Sequence, residues 1–270
     1  MKYADLHIHS SYSDGKLTPE EIIKISIDKG IRYIAITDHD SIDSQYIIDK
    51  EHKNIEIISG IEVSAEINNT EIHMLGYFIN PNDEILIKTI DRLKEERRER
   101  ARKICEKLKA VGVIIDVEKL IAENPTIGRA HIANEIVNCG YEENFKVAFN
   151  KYLIAGKQAY EKGKKLTYKE AIKLIRNSGG IPIIAHPGKI YRSMGIENVI
   201  KELRCYGLMG VEVYHPSHSK EQINILYNLC KKYKLVITGG SDFHEITEEG
   251  AIIGTQGINE LLLNKLLNIK

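Results

Sequence analysis

Tyr3-Ala4-Asp5-Leu6-His7-Ile8-His9-Ser10 reads as a short strand that ends in two histidines. Residues two apart on a strand project from the same face, so the His7 and His9 imidazoles can share one ion. The polar turn Ser10-Ser11-Tyr12-Ser13-Asp14-Gly15 follows at once and brings in a carboxylate. A lone histidine would read as an ordinary core or surface residue. His-x-His at a strand end, with an aspartate just beyond, points to a metal site.

Working outward, Thr18-Pro19-Glu20-Glu21 is a helix start, with Thr18 as cap, Pro19 at the first helical position and Glu21 closing a capping box. That helix is expected to run to about Lys29 and stop at Gly30. A β-rich run, Ile31 to Thr37, ends in Asp38-His39-Asp40, and a second helix is expected from about Asp43 to His52. Ile55 to Ile61 reads as a strand ending in Glu62, and Ile72 to Phe78 as another carrying His73 near its start. This alternation implies a largely parallel α/β sheet.

The pattern changes at about Asn80. Asp83 to Ala110 reads as one long charged helix, shorter helices follow near 116–123, 128–138 and 143–151, and no strand is evident until Lys165. Between Lys94 and Lys103 the pairs Glu96/Arg100 and Glu99/Lys103 stand four apart, the mark of a solvated, self-paired helix face. This region is expected to be a helical insertion, which divides the chain into 1–80, 81–164 and 165–270. At Lys165 the strand-helix rhythm returns, with a second capping box at Thr167 and Glu170. Strands are expected to end at Ala185-His186, at Tyr214-His215-Pro216-Ser217-His218 and at Gly240-Ser241-Asp242-Phe243-His244, and a last helix begins near Asn259.

With 270 residues the chain suits one large α/β domain, or one domain plus an insert. Thirty-eight basic and 38 acidic residues balance, so bulk charge does not steer it onto nucleic acid. The four cysteines form no C-x-x-C pair, which argues against a zinc knot or a disulfide framework. No signal-peptide pattern or membrane-length apolar run is present, and the expected setting is soluble and cytoplasmic.

Of ten histidines, His52 reads as a helix-surface residue and His131 falls in the helical insertion. The other eight lie in or just after strands. The strand ends of a parallel α/β barrel converge on one mouth. His7, His9, Asp14, Asp38, His39, Glu62, His73, His186, His215, Asp242 and His244 are therefore expected to gather, with His218 either structural or lining the mouth. So many imidazoles suit Mn, Fe or Zn rather than magnesium or calcium alone, and the ligand count calls for two or three ions. Clustered divalent ions generate hydroxide near neutral pH and neutralise the oxygens of an attacked phosphoester. The chain holds no G-x-S-x-G elbow, P-loop or dinucleotide fingerprint.

Four stretches resemble the PHP family, named for polymerase and histidinol phosphatase: Asp-Leu-His-Ile-His-Ser at 5–10, Ile-Thr-Asp-His-Asp at 36–40, Ala-His-Pro-Gly at 185–188 and Gly-Ser-Asp-Phe-His at 240–244. Gly60-Ile61-Glu62 and His73-Met74-Leu75-Gly76-Tyr77 fill the middle. The resemblance implies a distorted (β/α)7 TIM-like barrel and metal-dependent hydrolysis of phosphoesters. It implies one metal at His7, His9, Glu62 and Asp242, a second at Glu62, His73 and His186, and a third at Asp14, His39 and His244. Many relatives have His where this chain has Asp14. Asp38 would orient a ligand imidazole.

Within that family the chain is most similar to nucleoside 3′,5′-bisphosphate phosphatases and related 5′-to-3′ exoribonucleases. The similarity rests on Gly128-Arg129-Ala130-His131-Ile132-Ala133 and on Tyr214-His215-Pro216. It implies a small nucleotide substrate, with short RNA as a further one, and no membrane or obligate protein partner. Arg129 and His131, entering a helix, suit a substrate phosphate, and Lys189 and Arg192 are further candidates. His215 or Arg129 would stabilise the departing oxygen. The alternatives are a small-molecule monophosphatase of the histidinol phosphatase kind, a non-catalytic metal module, and RNA binding through the charged helix.

Overall fold

The computed structural model describes residues 3–190, 195–247 and 252–270. The expected strand-helix alternation is present. β1 (Ala4–Ile8), α1 (Pro19–Asp28), β2 (Tyr33–Ile36) and β3 (Glu56–Ile57) come first. β4 (Gly60–Ile67) and β5 (Thr70–Tyr77) form a hairpin. α2 (Glu84–Ala110), α3 (Val117–Glu123), α4 (Arg129–Asn138) and α5 (Phe145–Ala148) follow, the last running into a π-helical turn, Phe149–Leu153. The rhythm resumes with β6 (Leu166–Thr167), α6 (Tyr168–Asn177), β7 (Ile181–Ile184), α7 (Ile196–Cys205), β8 (Gly210–Tyr214), α8 (Lys220–Tyr233), β9 (Val236–Gly239) and α9 (Glu260–Leu267). Both expected capping boxes are formed, Thr18 with Glu21 and Thr167 with Glu170.

The strands lie in two sheets, β1-β2-β3 and β6-β4-β5-β7-β8-β9. Backbone hydrogen bonds join the sheets at two places, where β9 ends beside β1 and where the chain leaving β2 runs beside β4. On one side the Asp242 amide donates to the His7 carbonyl at 2.8 Å and the His9 amide to the Phe243 carbonyl at 2.9 Å. On the other, the Asp40 amide donates to the Glu62 carbonyl at 2.9 Å and the Glu62 amide to the Asp38 carbonyl at 3.2 Å. The strands thus close into a distorted, TIM-like α/β ring.

Three sequence expectations change. The sheet is mixed, because β5 runs antiparallel to both β4 and β7. The cause is the turn Asn68-Asn69, where both residues adopt positive φ, 48° and 63°, the conformation of a tight two-residue hairpin loop. The reversal also explains His73: the beginning of β5 lies at the same end of the ring as the C-terminal ends of β4 and β7. Next, the stretch after Asp43 is a 3-10 helix, Asp43–Asp49, rather than an α-helix. Finally, the face of α2 between Lys94 and Lys103 is self-paired only in part: Arg98 and Arg102 meet Glu95 at 3.0 Å and 3.6 Å, whereas Glu96 faces Lys164 and Lys103 faces Glu161, each at 3.9 Å. Lys94 reaches Asp43 at 2.6 Å, the Arg97 Nε donates to Asp40 at 2.9 Å, and the Arg100 Nε donates to the Glu161 carbonyl at 2.9 Å. Arg97 is also held by the Ser64 hydroxyl, so this arginine belongs to the interior and not to an RNA-binding surface.

The core follows this layout. One cluster fills the ring and the helices around it, including Leu6, Val63, Met74, Ile183 and Val211. The first half of α2 joins that core through Leu86, Ile90 and Leu93, while its second half and the helices to Leu153 pack on a cluster of their own, including Ile104, Leu108, Ile132, Ile136 and Leu153. The Arg97–Asp40 pair ties α2 to the ring beside Glu62. Its partners are 20 % and 2 % exposed, so removing the arginine leaves a buried carboxylate unpaired. Arg97→Met is expected to lower unfolding free energy by about 3–4 kcal/mol, read from urea denaturation. A loss under about 1 kcal/mol would show that the pair behaves like a surface ion pair.

Candidate metal centre

Chain entry into the site is strained where it must be. Asp40, His186 and Asp242 all adopt positive φ, at 44°, 28° and 51°. Non-glycine residues in this region carry a cost and persist where surrounding bonds fix them. Here the fixing bonds are visible: the Asp40 amide to Glu62, the Asp242 amide to His7, and the His186 amide to the Glu212 carboxylate at 2.7 Å. Glycines bring the strands close. A Cβ on Gly15 would lie 2.3 Å from the His9 carbonyl oxygen, and one on Gly240 2.3 Å from the His7 Cβ.

The nine residues assigned to metals from sequence gather at this end of the ring. The Nε2 atoms of His7 and His9 lie 3.1 Å apart. His7 Nε2 is 3.4 Å from Glu62 Oε2 and 3.3 Å from Asp242 Oδ1. His9 Nε2 is 3.3 Å and 3.2 Å from the same two oxygens. A tetrahedral ion with bonds of about 2.0–2.1 Å sets its ligand atoms about 3.3–3.4 Å apart. The other oxygen of Glu62 meets His73 Nδ1 and His186 Nε2, each at 3.0 Å. Around Asp14 stand His244 Nε2 at 3.3 Å, His9 Nδ1 at 3.7 Å and His39 Nε2 at 3.9 Å. His39 also places Nδ1 2.8 Å from Glu62 Oε2, so it stands between two groups.

Whether these residues fit cations can be judged from their polar atoms. Among the described residues Glu62 Oε2, His39 Nδ1 and Asp14 Oδ1 are buried and, close as the first two stand, none makes a hydrogen bond of proper geometry. Buried polar atoms are rarely left so. Hydrogen bonds also fix which imidazole nitrogen is free. Glu212 takes the Nδ1 proton of His7 at 2.9 Å, and the Asp242 carbonyl takes that of His244 at 2.8 Å. Both Nε2 lone pairs then face the carboxylates. The donor set fits divalent ions.

Charge follows the same layout. Burial alone would push the Glu62, Asp14 and Asp242 carboxyls up, but neighbouring imidazoles hold all three well below the usual carboxylate range. Burial opposes protonation of His73, yet Glu62 and Glu71 raise it to about 9. His186 is pulled down to about 4, mainly by burial.

Two carboxylates that sequence reasoning missed do the orienting. Glu212, fully buried in the middle of β8, holds both the His7 ring and the His186 amide. Glu71 lies 3.5 Å from His73 Nε2, leaving Nδ1 for Glu62. The available signal was an acid between two valines, Val211-Glu212-Val213, in a strand expected to be buried on both faces. Glu212→Gln keeps the shape but places an NH2 against a donor. It is expected to weaken metal binding about 10–100-fold, read by calorimetry. Unchanged affinity would leave Glu212 a packing residue.

Among the described residues Asp38, expected to orient an imidazole, bonds none directly and reaches His9 only through the Ser13 hydroxyl, 3.4 Å from His9 Nδ1. Its oxygens accept from the Ser10 amide and hydroxyl and from the Ser13 hydroxyl at 2.7–2.8 Å, so it fixes the turn that carries Asp14. His131 is also used structurally: its Nδ1 accepts from the Gly128 amide at 3.0 Å and its ring bonds the Ser13 backbone. His218 has both nitrogens occupied, by the Val213 carbonyl at 2.9 Å and the Gly188 amide at 3.0 Å, and braces the Pro187–Lys189 turn. Neither ring is free for substrate. His215 Nε2 and Lys189 Nζ each lie 3.0 Å from Asp242 Oδ2. Arg129 lines a cavity that opens from His39 and His73. Arg192 lies outside the described residues.

A TIM-like α/β ring whose strand ends carry this many free imidazole nitrogens and carboxylates has the build of a metal-dependent hydrolase. The chain belongs to the PHP domain family, whose model matches residues 5–249. It is 32% identical over 262 residues to a 3′,5′-nucleoside bisphosphate phosphatase of Chromobacterium violaceum, covering 94% of this chain and 91% of that one. It is 34% identical to a 5′-3′ exoribonuclease of Haemophilus influenzae over 90% of each. Among solved structures, a C. violaceum amidohydrolase with bound sulfate and no metal superposes with a TM-score of 0.86 at 29% identity, over 98% of this chain and 96% of that one. These relatives, and the residues gathered here, make the chain a metal-dependent phosphoesterase. Among the described residues no helix is long and apolar enough to cross a membrane.

Proposed function

We propose that the chain hydrolyses a nucleoside 3′,5′-bisphosphate to the nucleoside 5′-monophosphate and phosphate, and trims short oligoribonucleotides as a second substrate class. The observation that carries this is the spacing of His7, His9, Glu62 and Asp242, with a cation-lined cavity opening beside them. The printed activities of the two relatives supply the substrate class. In this reading residues 81–164 are a cap over the mouth of a ring built from 1–80 and 165–270.

His7, His9, Glu62 and Asp242 would hold one ion, Glu62, His73 and His186 a second, and Asp14, His39 and His244, with His9 behind them, a third. The imidazole-rich set favours Mn, Fe or Zn. Bound divalent ions supply a water acidified toward neutral pH and positive charge for the phosphoryl oxygens. The chain's own groups do the rest. The Ser217 amide donates to His215 Nδ1 at 3.0 Å, which puts the His215 proton on Nε2, facing the cluster. That N–H and the Lys189 ammonium suit a departing ribose oxygen that gains charge. Arg129 binds the nucleotide on the opposite wall. No side chain is phosphorylated in this scheme.

The test is a parallel assay of manganese-, iron- and zinc-loaded protein on a nucleoside 3′,5′-bisphosphate, histidinol phosphate and a short 5′-phosphorylated RNA. A preference for the bisphosphate supports the reading. Preference for histidinol phosphate would replace it with the small-molecule phosphatase.

A further inference from the structure

We propose that His131 is a positioning residue for Asp14. With Thr126 it fastens the turn at residues 10–15 to the start of α4, and this link between the helical region and the ring sets how tightly Asp14, His39 and His244 hold their ion. The inference rests on the assignment of a third ion to that group.

This group is the loosest of the three. Asp14 Oδ1 lies 3.3 Å from His244 Nε2 and 3.7 Å from His9 Nδ1, and its other oxygen lies 3.9 Å from His39 Nε2. The side chains of Asp14, His39 and His244 are 22 %, 17 % and 34 % exposed, whereas those of His7, His9 and Glu62 are fully buried. Asp14 is carried by a turn beyond the end of β1, so the bonds of that turn decide where its carboxylate stands.

The turn satisfies its own donors. The Ser13 and Gly15 amides donate to the Ser10 carbonyl at 3.0 Å each, and the Tyr12 amide donates to the Ser10 hydroxyl at 3.2 Å. Two successive carbonyls are taken by the helical region instead. Thr126 Oγ1 donates to the Tyr12 carbonyl at 3.1 Å. The Gly128 amide donates to His131 Nδ1 at 3.0 Å, which puts the ring proton on Nε2, and the ring bonds the Ser13 carbonyl. That carbonyl belongs to the planar peptide joining Ser13 to Asp14, so the bond fixes the plane from which Asp14 departs. Backbone acceptors in such a place need a partner.

The helical region holds its end firmly. Thr126 and His131 are both buried, and Ile132, Ala133 and Ile136 of α4 lie in that region's own core. A cap for α4 needs only the Gly128 bond. The bond to Ser13 and the Thr126 bond, which spans 114 positions, serve the turn. Arg129, between the two, reaches Glu71 at 3.5 Å, and Glu71 faces His73 at 3.5 Å. One short segment thus backs ligands of two ions. Partners that orient metal ligands from behind are worth about 10–100-fold in metal affinity.

The experiment titrates metal-free protein with manganese by calorimetry. Asp14→Asn identifies the class of bound manganese that Asp14 holds. His131→Leu should weaken that class about 10–100-fold and change the others less than about 3-fold. His131→Gln keeps an N–H for the Ser13 carbonyl and should recover part of the loss. In an Asp14→Asn background, His131→Leu should add less than about 2-fold, because both changes act on one ion. Thr126→Val removes a single hydroxyl, should weaken the same class about 2–10-fold, and decides the matter where His131→Leu does not fold. Unchanged affinity, equal weakening of every class, or a full further loss in the double variant overturns the proposal. A loss in Asp14→Asn without one in His131→Leu removes the proposal alone. If Asp14→Asn removes no class, the third-ion assignment fails and the proposal falls with it.

Discussion

Glu62→Gln is expected to cost about 10³-fold or more in kcat/KM and to lower the number of bound metal ions. The reason is that one carboxylate serves five imidazoles. Its Oε1 faces His73 and His186 at 3.0 Å each, and its Oε2 faces His39 at 2.8 Å, His9 at 3.3 Å and His7 at 3.4 Å. An amide has nearly the same shape, but it carries no charge and turns one oxygen into an NH2. A loss of about 4 kcal/mol in transition-state stabilisation corresponds to that rate effect. Metal content by mass spectrometry, measured beside kcat/KM, checks the claim. A variant that keeps full metal content and wild-type turnover would remove Glu62 from the centre of the account.

Gly240→Ala should be a strongly damaging small change to the scaffold. The added methyl would stand 2.3 Å from the His7 Cβ and 2.4 Å from the His7 backbone nitrogen. Neither neighbour is a flexible side-chain end, so β1 or the Gly240 turn must move. His7 sits in a set of ligand atoms only 3.1–3.4 Å apart. A displacement near 1 Å at a reacting centre costs about 10²-fold in rate, and overpacking adds about 1–3 kcal/mol of destabilisation. Gly195→Ala is the control, since its methyl would meet only Asn198 at an ordinary 3.6 Å. Wild-type activity in Gly240→Ala would mean that the close approach of the β9 end to β1 is not what places His7.

How much was legible in the sequence depended on the distance over which each residue acts. His7, His9, His39, His186 and His244 were found because a metal needs particular side chains at strand ends, and a strand end can be read locally. Glu62 and Asp242 were found with them. Glu212 was missed because an acid inside a strand looks like the solvent side of an alternating pattern, and Glu71 because the strand was expected to begin at Ile72 and in fact begins at Thr70. Only the fold shows Glu212 to be fully buried beneath His7. Arg97 and Arg100 of α2 were misread for the opposite reason, while Arg98 and Arg102 do pair with Glu95 of their own helix. Glu96 and Arg100 satisfied a helical spacing rule, but that rule describes isolated helices. In the fold Arg100 turns to Glu161 and Arg97 to Asp40, 57 positions away. The reversal of β5 hung on Asn68-Asn69, a turn pair whose positive φ values mark a hairpin more surely than the flanking strands do. Asp38, His131 and His218 had the right chemistry for a site, and the fold spends their polar atoms on turns and loop braces.

The most direct test of the central claim is anomalous diffraction from crystals of the manganese-loaded protein. One peak is expected within the set His7, His9, Glu62 and Asp242, and a second between Glu62, His73 and His186. Full manganese loading with no peak among these residues, or peaks only at the protein surface, would contradict it.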